Sequence, residues 1–107
     1  MSTSPMTTRR LELHEILCGI LGSRNVYFQP PENLKMKFPC IIYEHEGNDV
    51  KPADDAKYNK IRKYQVTIID KDPDTEIPER LDNLRFASFD RRFTADNMNN
   101  IVYTVYY

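Results

Sequence analysis

The two histidines and two cysteines of this chain are the first residues to test for chemistry. His14 and Cys18 stand four apart, which on a helix puts both on one face as half of a metal site. Cys40 and His45 would have to complete it from elsewhere, because neither cysteine belongs to a CxxC pair. Two buried or half-buried free thiols in a reducing compartment fit that pattern better than zinc or a disulfide framework. Asp70, Asp72 and Asp74 alternate as a calcium loop begins. The sixth position, however, is Thr75 where the sharp turn needs glycine, and the twelfth is Leu81 where a bidentate glutamate belongs. The same carboxylates suit a strand end running into a helix N-terminus, where acidic groups meet the backbone dipole favourably. No serine or cysteine sits in a nucleophile elbow, and three glycines leave no Gly-rich phosphate loop. No catalytic, metal-ligating or cofactor-binding residue is therefore assigned, and a protein that is not an enzyme is expected.

The elements that carry these residues can be read from periodicity. Ser4-Pro5 suits a helix start, and Met6, Leu13, Ile16, Leu17, Ile20 and Leu21 recur at helical spacing. Gly22 is placed to end that helix, which spans about residues 5–22. Val26 to Gln29 is a short β-prone run closed by Pro30-Pro31, and Cys40 to Glu46 is a second strand. Gly47 to Asn59 is rich in Gly, Pro, Asn and Asp and reads as a long hairpin loop. With no apolar face to bury, that loop is expected to order only against a partner, as is the start, Met1–Pro5. Lys60 to Asp70 alternates, with Tyr64, Val66 and Ile68 on one face. After a turn at Asp72-Pro73-Asp74-Thr75, the residues Ile77, Leu81 and Leu84 mark a short second helix whose first turn holds Pro78. Ala87 to Thr94 and Ile101 to Tyr107 are the last two strands, joined through the turn residues Ala95-Asp96-Asn97. The order α-β-β-β-α-β-β predicts a single α+β domain over residues 1–107, with a mainly antiparallel sheet of about five strands and two helices packed on one face.

Bulk properties narrow the class. The chain has 107 residues, 40% hydrophobic and 29% charged, which is one globular core and no more. Its 15 basic and 16 acidic residues give a net charge of -1, unlike a domain that grips phosphates. No apolar run reaches the length of a membrane span, and the polar stretch Met1 to Arg10 has no leader-like core. Seven tyrosines and five phenylalanines are many for so small a core, and three of the tyrosines fall in the last five residues. Ile101, Tyr103 and Val105 share one face of the last strand, and Val102, Thr104 and Tyr106 share the other. Since helices cover one face only, the second set must be packed by other segments or by a neighbouring subunit. Candidate interface residues are Asp54 and Asp55 in the loop, Arg91 and Arg92 in a charge cluster, and Tyr106 and Tyr107 at the end of the chain.

Four runs carry a resemblance. They are Val26-Tyr27-Phe28-Gln29-Pro30-Pro31-Glu32-Asn33, Phe38-Pro39-Cys40-Ile41-Ile42-Tyr43-Glu44, Tyr64 to Asp74, and Ser88-Phe89-Asp90-Arg91-Arg92-Phe93-Thr94-Ala95-Asp96-Asn97. In that order, over about residues 11–107, the chain resembles the tail terminator or tail completion proteins of long-tailed bacteriophages, which are also called head–tail joining proteins. The resemblance implies a small α+β domain that forms a ring, of six copies, on the last ring of the tail tube. Such a ring stops polymerisation and joins the tail to the head connector. Its implied partners are copies of itself, the tail tube protein and the connector or stopper protein, with DNA passing through unread. The implied location is the tail and neck of the virion, assembled in the host cytoplasm. The family brings no catalytic residues. A head-completion or stopper protein of the neck is the alternative, and a small metal-dependent nuclease the remote one.

Overall fold

The computed structural model describes residues 5–52 and 60–107. They form helix α1 (Pro5–Leu21), strands β1 (Val26–Phe28), β2 (Cys40–Pro52) and β3 (Lys60–Asp70), helix α2 (Ile77–Asp82), and strands β4 (Ala87–Ala95) and β5 (Met98–Tyr106). The strands make one five-stranded sheet in the order β1-β2-β3-β5-β4. This is the α+β domain that the sequence predicts, with the same elements in the same order. The sheet is mixed: β1 runs parallel to β2, and every other pairing is antiparallel. A parallel pair needs a crossover, and residues 29–39 supply it without a helix.

Both helices pack on the same face of the sheet. Helix α1 buries Leu13, Leu17, Cys18 and Leu21, and α2 adds Ile77 and Leu81. Beneath them lie rows of side chains set by strand register: Ile41, Ile68 and Ile101 in one, Tyr43, Val66 and Tyr103 in the next. Each row crosses three strands, so β-branched and aromatic side chains meet directly opposite one another and exclude water. Tyr103, 1% exposed, buries its ring and points its hydroxyl at α2. There the O–H donates to Asp82 Oδ1 at 2.6 Å, with the Pro78 carbonyl 3.2 Å away. Gly22 ends α1 with φ 85°, and its N–H returns to the Cys18 carbonyl at 2.8 Å. The Arg80 guanidinium then donates to the Ile20 carbonyl at 3.0 Å, a cation placed against the negative end of α1.

Two boundaries differ from the sequence reading. Strand β2 does not stop at Glu46 but runs to Pro52, pairing Val50, Lys51 and Pro52 with Arg62, Ile61 and Lys60 after an irregularity beyond His45. The polar composition of that stretch suggested a loop, yet a two-stranded arm needs only backbone pairing. Residues 53–59 lie outside the described residues, and with them the expectation that this loop orders against a partner. So does the expectation for Met1–Pro5, except for Pro5, which opens α1. Strand β5 begins at Met98, three residues early, because Asp96 (φ 53°) and Asn97 (φ 62°) form a two-residue hairpin turn that sets Ala95 opposite Met98.

Truncating the helix–sheet core should therefore be costly. Leu17→Ala and Ile101→Ala are each expected to lower the unfolding free energy by roughly 2–5 kcal/mol in urea titrations followed by circular dichroism. Leu11→Ala, on the solvent side of α1, is expected to change it by less than about 0.5 kcal/mol.

Candidate docking surface

The face away from the helices is built by the alternate residues of the same strands. On β5 these are Met98, Asn100, Val102, Thr104 and Tyr106. Val102 is only 1% exposed, although no helix lies over it. It sits between Thr67 of β3 and Arg91 of β4, directly opposite both, so the side chains of the flanking strands shield it. The expectation that this set needs packing from elsewhere is thus met within the sheet at Val102, because β5 lies inside the strand order and not at its edge. Towards the rim the shielding weakens, and Thr104 and Tyr106 are half-buried.

Strand β4 is the long free edge of the sheet. From Ser88 to Ala95 every residue is exposed. Phe89 and Phe93 are 57% and 44% exposed and lie on opposite faces. Phe89 touches the Tyr103 ring edge-on at 5.8 Å on the helix side, while Phe93 stands opposite Asn100 on the other. The ladder skips Asp90, which has no partner on β5, and the bulge sets the two halves of β4 in different phase. An Asp90 carboxylate oxygen accepts from Arg91 Nη1 at 3.0 Å, and Arg92 reaches the Pro73 carbonyl at 2.7 Å.

The candidate interface residues are therefore not one patch. Arg91 and Tyr106 share the helix-free face, and Arg92 lies on the helix side. Tyr107 turns back into the helix layer: its hydroxyl donates to Glu12 at 3.2 Å, the Arg9 guanidinium lies 4.6 Å over its ring, and Phe86 meets it edge-on. Strand alternation already puts Tyr106 and Tyr107 on opposite sides, and the structure adds that Tyr107 closes on α1. Asp54 and Asp55 lie outside the described residues. Phe89 and Phe93 were missed, because only the strand order reveals that β4 is an edge.

The residues with chemical potential are occupied by the fold. His14 Nδ1 lies 2.8 Å from the Tyr43 hydroxyl, whose titration burial pushes up to about 12. His45 stacks on Tyr64 with ring centroids 5.0 Å apart, and Phe28 meets it edge-on. Cys18 lies in the helix–sheet core, whereas Cys40 is on the opposite face beside Ile69, so the sheet separates two free, buried thiols. Burial raises both thiols, Cys40 to about 11, the reverse of what a nucleophile needs. Asp70 and Asp72 accept the backbone N–H groups of Asp72 and Asp74 at 3.0 and 2.9 Å, as turn-forming carboxylates do. Among the described residues no three His, Cys, Asp or Glu side chains converge on a common point. No helix is long and apolar enough to cross a membrane among the described residues. No protein-family model matches the sequence, and no curated protein matches it.

The histidines give a pH dependence with a definite sign. Burial and then Arg24 hold His14 below the ordinary imidazole value of 6.5, and burial and then Arg62 hold His45 below it. The unfolded chain then binds more protons below that value, so stability present at neutral pH is lost as pH falls through the lowered folded values. The urea midpoint is expected to drop between pH 7 and pH 5, and the double variant His14→Gln/His45→Gln to show a shallower drop. An unchanged slope in the double variant would contradict this assignment.

Proposed function

We propose that this chain is a non-catalytic assembly protein of a long-tailed bacteriophage, forming a ring at the top of the tail tube that ends polymerisation and joins the tail to the head connector. The observation that carries this reading is the placement of its aromatic and charged residues. The imidazoles and thiols are absorbed into packing, while β4 presents an exposed edge with two phenylalanines and a charge cluster. A subunit whose work is contact needs surfaces of this kind and needs no reaction centre. The order of sequence runs, which resembles that of tail terminator proteins, suggests the biological setting. A net charge of -1 suits a ring whose lumen must pass DNA without holding it.

Mixing the purified protein with tail tube protein is expected to give ring-shaped particles at tube ends in negative stain, and tubes of limited length. Retention on the connector with no effect on tube growth would instead favour the stopper reading. Failure to associate with either component would remove the phage assignment.

A further inference from the structure

We propose that the β4 edge pairs with the β4 edge of a second copy, antiparallel about a two-fold axis, joining two five-stranded sheets into one. The contact takes the same edge that the ring reading uses, and a two-fold pair is not the head-to-tail contact that closes a ring, so it describes the protein before it meets a tail component. An edge strand offers unpaired N–H and C=O groups, and a β4 with every residue from Ser88 to Ala95 exposed offers a long row of them. On the other side of the sheet β1 has three residues and ends at Pro30-Pro31, and β2 runs on past it with an irregularity between His45 and Val50, so neither offers a regular row to match β4.

Register and charge select the second copy as the occupant. Helix-side residues must oppose helix-side residues, because a slip of one residue reverses every side chain. The bulge at Asp90 puts Phe89 and Arg92 on the helix side, and Ser88, Arg91 and Phe93 on the other. The pairing centred between Asp90 and Arg91 satisfies this on both sides of the bulge. It sets Phe89 against Arg92 of the second copy, Ser88 against Phe93, and Asp90 against Arg91, each twice by symmetry. The charge pairs are complementary and the guanidinium of Arg92 meets an aromatic face. Sliding by two residues in one direction sets Arg91 against Arg92, and in the other sets Asp90 against Phe89. Neither alternative keeps a charge pair. The Asp90–Arg91 pair within one chain is exposed, with side chains 35% and 56% accessible, so exchanging it for the pair between copies costs little. Charges and a bulge also protect edges from pairing, but protection calls for unmatched charges, and these match each other.

The test is a charge exchange read by sedimentation velocity across the micromolar to millimolar range. The unaltered protein is expected to dimerise. Asp90→Arg leaves two arginines facing the partner's arginines, and Arg91→Asp leaves two aspartates facing aspartates. Each variant alone, shown to be folded by circular dichroism, is expected to self-associate about tenfold or more weakly. An equimolar mixture of the two variants is expected to restore a dimer holding one chain of each, because every charge then meets its opposite. A wild-type monomer at all concentrations, undiminished association of either single variant, or a mixture that associates no better than its components would each overturn the proposal.

Discussion

The structure depends on how little helix is available to cover its sheet. Helix α1 has 17 residues and α2 has six, enough to close one face of a five-stranded sheet and no more. The apolar rows of β2, β3 and β5 therefore gather on the helix side, where Tyr43, Val66 and Tyr103 stack across three strands under Leu13 and Leu17. At that scale of burial each large side chain matters, since a domain of about a hundred residues keeps only a modest margin of stability. The other face has to be made tolerable to water by the strands themselves. It is built from alternate polar and apolar residues, with its most buried β5 residue, Val102, placed at an interior site where two neighbours shield it.

This division also decides what the domain can do. Groups that titrate or attack in enzymes are placed here where packing determines their state. The Tyr43 phenol is protonated and bonded to His14, the two thiols are buried on opposite sides of the sheet, and the aspartates after β3 shape a turn. What remains for interaction is geometry at the rim, above all the outer edge of β4, where backbone groups, two aromatic rings and opposite charges are presented together.

Much of the fold was legible because its strongest signals are local. The 3.6-residue recurrence from Leu13 to Leu21, the alternation at Tyr64, Val66 and Ile68, and the Pro78 placed in the first turn of α2 each follow from one element's own geometry. Harder to read were features set by tertiary order. Nothing local to Ala87–Ala95 says that β4 is an edge, since its alternation is that of any strand. Nothing near Tyr107 says that it folds back on Glu12, 95 residues away. The arm of β2 reads as loop because hydrophobic pattern reports burial, whereas Val50 to Pro52 are held by backbone pairing with β3. Alternation alone separates Arg91 from Arg92, but the exposure of the aromatic side chains that flank them follows from strand order, which sets β4 at the edge.

In the assembly proposed above, contact falls on the β4 edge and the helix-free face. Amide hydrogen exchange, resolved by residue on the dilute protein and on the complex with tail tube protein, tests it most directly. Assembly is expected to slow exchange on β4 and to leave the core of β5, buried and paired on both sides, unchanged. Protection confined to the outer surfaces of α1 and α2, with β4 exchanging as fast in the complex as in the free protein, would contradict it.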